Sequence, residues 1–171
     1  MPRRRNKVPD GKGKKRRRVT DNAFDLENYV PYLLNRVGTA LVDRFVSGLK
    51  DFDLTLPMWR VMAILYRRGP TRFGVLGGLS LIEPPTLSRI LAAMSDRGLV
   101  SRARSDVDGR GTLVQLSTEG RASVESLIPW AENVAQYTLA GLNADEAEFF
   151  KRLLLRVCLH VAPSPQMPET D

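Results

Sequence analysis

Apolar side chains at Val30, Leu34, Val37, Leu41, Phe45 and Leu49 recur every three or four residues, the spacing that gathers them on one face of an α-helix. The pattern predicts a long amphipathic first helix, about residues 26–51, in spite of Gly38. The run PMWRVMAILYRR at 57–68 is patterned differently. It is apolar on nearly every face, which predicts a helix covered on more than one side and ended by Gly69 and Pro70. A short helix is expected at 71–79, followed by PPTLSRILAAMSDRG from residue 84. In that segment the prolines suit a first turn, and Leu87, Ile90, Leu91 and Met94 make an inner stripe. Thr86, Ser88, Arg89, Ala92 and Ala93 are left outward, and Gly98 reads as the closing cap.

Residues 99–104 and 112–117 read as two short strands joined by the turn region SDVDGRG. Helical spacing resumes over 119–142, with Val124, Leu127, Ile128, Ala131, Val134 and Leu142 on one stripe and a kink expected at Pro129. Asn143 followed by Glu146 has the form of a capping box opening a last helix, whose apolar face is Phe150, Leu153, Leu154, Val157 and Val161. The predicted fold is therefore mainly α with a small β-hairpin wing. Three helices and a hairpin in this order make a winged helix-turn-helix, about 54–118, flanked by long helices at 26–51 and 119–161.

Charge alters this picture less than the total suggests. The 171-residue chain carries a formal +7, but ten of its first eighteen residues are Lys or Arg, and Asp10 is the only acid among the first twenty. The remainder is close to neutral, so the basicity belongs to a segment and not to the folded body. Residues 1–22 lack apolar periodicity and read as a disordered basic arm; residues 162–171, with three prolines, read as a tail. One domain at 23–161 is expected between them. With 43% hydrophobic residues the chain has enough apolar side chains for a core. No stretch reaches the roughly eighteen apolar residues of a membrane span, and the lone Cys158 excludes an internal disulfide, so the expected location is cytoplasmic.

Three segments carry a more specific signal: LTLPMWRVMAIL from Leu54, EPPTLSRILAAMSDRGLVSR from Glu83, and SDVDGRGTLVQLSTEG from Ser105. In this order and spacing the chain resembles the MarR family of bacterial transcription regulators over about 29–161. The resemblance implies a protein that binds double-stranded DNA at a pseudo-palindromic operator. Physical chemistry points the same way for the second segment, because the first turns of a helix laid in the major groove reach base edges. Pro85 opens that helix, Thr86 and Ser88 permit close approach, and Arg89 can bridge two guanine acceptors or hold a phosphate. The plainer alternatives are helix-start polarity for Thr86 and Ser88 and a solvated face for Arg89. In the third segment Asp108 and Arg110 match the family's wing, which implies that Arg110, oriented by Asp108, enters the minor groove. The sequence departs from the family pattern at Asp106 and Gly109 in the wing, at Gly74, Gly77 and Gly78 in the short helix, and at Ser80 and Leu81, where the usual turn glycine is missing.

The resemblance also implies a homodimer joined through the first and last helices, and the apolar faces around Leu34 and Leu154 suit such an interface. Relatives bind small aromatic or acidic effectors, coenzyme A thioesters among the candidates, between the DNA-binding and dimer lobes. Trp59 and Arg60 could offer stacking and charge there, although Trp59 as simple core is the blander reading. The expected action is repression released by the effector. Catalysis is not expected: His160 is the single histidine, and no nucleophile, metal or cofactor site accompanies it. Cys158 could sense oxidants or be a buried interface thiol. The second functional class is an architectural winged-helix module that binds DNA mainly through its arm, or a protein-interaction module, without an effector.

Overall fold

The computed structural model describes residues 24–104 and 112–161. Helix α1, Val30–Leu49, passes through a 3-10 turn at Lys50–Phe52 and reverses at Asp53. Helix α2, Leu56–Arg68, starts where the Thr55 hydroxyl accepts the Met58 N–H, and stops at Gly69, whose φ of 78° a side chain would resist. Val61, Met62 and Leu65 are fully buried, and Met58, Trp59, Ile64 and Tyr66 pack partly against the same core. This is the helix covered on several sides that its uniform apolarity predicts.

The short helix begins later than expected. Thr71–Arg72 is a strand, β1, and only Phe73–Ser80 is helical, forming α3. The buried Thr71 donates its hydroxyl to the Gly69 carbonyl at 3.0 Å. Its backbone pairs antiparallel with β3, Thr112–Leu116, in the register Thr71 with Val114 and Arg72 with Leu113. Strand β2, Val100–Arg104, pairs with the other edge of β3, so the expected hairpin is the larger part of a three-stranded sheet of order β1-β3-β2. Helix α4, Pro84–Asp96, lies between α3 and β2 in sequence. Leu76 of α3, Leu87, Leu91 and Met94 of α4, and Val114 of β3 close one core with α2.

Ser117 starts α5, Thr118–Leu139, by accepting the Gly120 N–H at 2.9 Å while its own hydroxyl donates to the Gly98 carbonyl. Gly120 is required there, because a Cβ would collide with the Leu99 carbonyl oxygen. The helix continues through Pro129 without interruption and ends at Leu139, so Leu142, expected on its apolar stripe, lies beyond it and exposed. Helix α6, Ala144–Val161, opens with the capping box in full: the Glu146 carboxylate accepts from the Asn143 N–H at 2.9 Å, and the Asn143 side-chain oxygen accepts from the Glu146 N–H at 3.0 Å. No residue of α6 is buried.

Candidate nucleic-acid interface

Helix α4 acquires its orientation from its inner face. Pro84 and Pro85 occupy the first turn, where the missing N–H groups have no intrahelical partner to lose and the fixed φ suits the helix. Leu87, Leu91 and Met94 are then wholly buried, which fixes the rotation of the helix about its axis. Pro85, Thr86, Ser88 and Arg89 fall together on the exposed side of its N-terminal half. Arg89 Nη2 donates to the Thr86 hydroxyl at 3.4 Å, drawing the guanidinium toward the helix start. From β2, Arg102 Nη2 donates to the Ser88 carbonyl at 3.3 Å and ties the helix to the wing strand. At the other end Gly98 takes φ 68°, closing the helix as its glycine implies.

Asp108 and Arg110 lie outside the described residues, as does the basic arm. The strands that flank the wing tip are described up to the pair Arg104 and Thr112. Helix α3 forms in spite of Gly74, Gly77 and Gly78, anchored by Leu76 and by the Ser80 hydroxyl, which donates to the Gly77 carbonyl at 3.3 Å. The turn that follows places Leu81 at φ 56° and ψ 40°, left-handed and 80% exposed, in the position where a glycine would be unstrained.

Trp59 and Arg60 are neighbours that part company. The Trp59 ring packs on Phe45 of α1, centroids 5.4 Å apart, as partly buried core, while Arg60 is exposed. A different group meets between α1 and α5. The Arg44 guanidinium lies 3.8 Å from the Tyr137 ring centroid and 5.9 Å from that of Trp130, with Nη2 3.5 Å from the Asn133 side-chain oxygen. Its Nε is buried and meets no acceptor among the described residues. Trp130 donates its indole N–H to the Phe45 carbonyl at 3.1 Å, and Gly48 makes room for the ring, since a Cβ there would strike it. Sequence reasoning missed this cluster; the only signal was a charge beside the apolar stripe of the first helix, between Leu41 and Phe45.

The model of the MarR family matches residues 54–112, the stretch from α2 through the start of β3. Transcriptional regulator HosA of Escherichia coli is 31% identical over 105 residues, covering 61% of this chain and 78% of HosA. The chain belongs to the MarR family. Within it, the HTH-type transcriptional repressor IacR of Pseudomonas putida is 27% identical over 146 residues, 85% of this chain and 87% of IacR. Two solved structures share this fold. BpsR of Bordetella bronchiseptica, described through the regulation of its DNA binding by 6-hydroxynicotinic acid, superposes with a TM-score of 0.68 at 29% identity, covering 75% of this chain and 97% of BpsR. A mutant of MarR from E. coli complexed with operator DNA superposes with a TM-score of 0.69 at 25% identity, covering 78% of this chain and 99% of that one. This MarR-family member is a DNA-binding transcriptional regulator. Among its described residues no helix is long and apolar enough to cross a membrane.

Proposed function

We propose that this protein is a sequence-specific repressor acting in the cytoplasm, which grips a pseudo-palindromic operator as a homodimer and lets go when a small aromatic acid binds. The observation that carries the DNA reading is the exposed N-terminal half of α4, locked in rotation by Leu87, Leu91 and Met94. In the major groove Thr86 and Ser88 approach base edges and Arg89 reads a guanine, while Pro85 sets the helix start. Asp108 and Arg110 at the wing probe the minor groove, and the basic arm adds affinity through phosphate contacts that release counterions.

The dimer is supported by apolar side chains that the single chain leaves in water. Val30, Leu34 and Val37 on α1 and Leu153, Leu154 and Val157 on α6 are all exposed. Burying one such side chain fully contributes about 1.5–3 kcal/mol, so a second copy covering both faces would stabilise them considerably. A two-fold axis then sets two α4 helices about one turn of DNA apart.

For the effector, Arg44 is the better-supported cation than Arg60. A buried guanidinium N–H with no acceptor, flanked by Trp130 and Tyr137, has the chemistry to hold an aromatic carboxylate. The regulation of BpsR by 6-hydroxynicotinic acid fits such a ligand. Trp59, packed at a tilt against Phe45, would transmit its binding from α1 to α2. Selection of DNA from a random pool, followed by binding at physiological salt, tests the reading. The expected preference over random DNA is about a thousandfold or more. A protein that binds both alike is the architectural module instead.

A further inference from the structure

The joint between α1 and α2 is a closed, pinned reversal. Leu49 and Leu54 on either side of it are buried, and the Leu54 N–H donates to the Leu49 carbonyl at 3.2 Å. Between them Asp53 takes φ 51° and ψ 40°, a left-handed backbone that Asp, with its short polar side chain, adopts more readily than most residues with a Cβ. The group that holds it comes from the far end of the recognition helix. Arg97 caps the C-terminus of α4; its Nη1 donates to the Asp53 carbonyl at 2.7 Å and lies 3.7 Å from the Met58 sulfur, and its Nη2 is 3.3 Å from the Asp53 carboxylate.

These contacts are unequal. The Asp53 side chain is 95% exposed, so its ion pair is screened by water and holds little. The short charge-assisted bond to the carbonyl is the stronger of the two, and the Arg97 side chain, at 33% exposed, is better shielded than that of Asp53. One guanidinium thus spans the end of the helix that reads DNA and the corner at which α1, with its uncovered apolar face, leaves the packed lobe.

We propose that Arg97 is a positioning residue for operator recognition. It fixes the angle between α4 and α1, and α1 carries the second copy, so the clasp sets the separation of the two recognition helices. The proposal rests on the reading of the protein as an operator-binding dimer. Half-sites sit about one helical turn apart, so adding or removing a base pair both shifts and rotates one half-site relative to the other. A dimer with a fixed corner rejects such operators; one with a loosened corner tolerates them.

The test measures binding of the full chain to the selected operator, to versions with one base pair inserted or deleted between half-sites, and to an isolated half-site. Arg97→Ala is expected to bind the half-site within about twofold of wild type while losing fivefold or more of the discrimination between spacings. Arg97→Lys, which keeps one donor for the carbonyl, should recover part of that discrimination. Asp53→Asn retains the carbonyl acceptor and should stay near wild type. It also secures the test if Arg97→Ala folds poorly, because a large loss in Asp53→Asn would contradict the primacy of the carbonyl bond. Full spacing discrimination in Arg97→Ala, or a half-site loss equal to the operator loss, overturns the proposal alone. A wild-type protein indifferent to spacing overturns the operator-dimer reading and this proposal with it.

Discussion

Helices α4 and α6 are similar in sequence character and opposite in circumstance. Each carries an amphipathic stripe at helical spacing, yet Leu87, Leu91 and Met94 of α4 are fully buried within the chain, whereas Leu153, Leu154 and Val157 of α6 remain exposed. The α6 helix is not poorly specified, since its capping box is complete on both sides. Most helical stability in proteins comes from packing an apolar face. The contrast separates a lobe whose apolar faces are covered within the chain from a helix whose apolar face is left for the proposed second copy. The packed lobe covers its own apolar faces; those of α1 and α6 form the proposed dimer interface.

The largest effects are expected at the seams of the packed lobe. Gly120→Ala drives a methyl group into the Leu99 carbonyl, a backbone atom that cannot turn aside, so a loss of about 3 kcal/mol or more in denaturant unfolding is expected. A paired truncation sharpens the contrast between the two regions. Leu91→Ala should lower stability by about 2–5 kcal/mol at every protein concentration, because the cavity lies within one chain. Leu154→Ala should instead weaken dimerisation, its effect on the thermal midpoint growing as the protein is diluted and the sedimenting species shifting toward monomer. Equal, concentration-independent losses would mean that α6 is covered by something other than a second copy. The smallest effect has the opposite sign: Leu81→Gly relieves a left-handed strain at an exposed position and should raise stability by about 1 kcal/mol.

Much of this was legible in the sequence because it is local. The 3.6-residue period placed α1, α4, α5 and α6 to within a few residues, and the inner face of α4 follows from the spacing of Leu87, Leu91 and Met94. The Asn143 and Glu146 capping box is a matter of three positions. What escaped depends on contacts between distant segments. Strand β1 is two residues long and exists only because β3 pairs with it. The left-handed Leu81 follows from the angle between α3 and α4, since no glycine marks it. Arg44 meets Asn133 across 89 positions, and Arg97 meets Asp53 across 44, so neither cluster has a signature within a sequence window. Trp59 shows the same limit from the other side, as its ring is engaged by Phe45 of a different helix.

On the proposed function, the exposed face of α4 reads sequence and does not merely hold phosphate. Arg89→Ala, measured on the selected operator and on random DNA at one physiological salt concentration, tests it most directly. The expected result is a loss of about 1–3 kcal/mol on the operator, roughly tenfold to hundredfold in affinity, with random DNA bound almost as before. An equal loss on both would contradict it, leaving Arg89 as a phosphate contact.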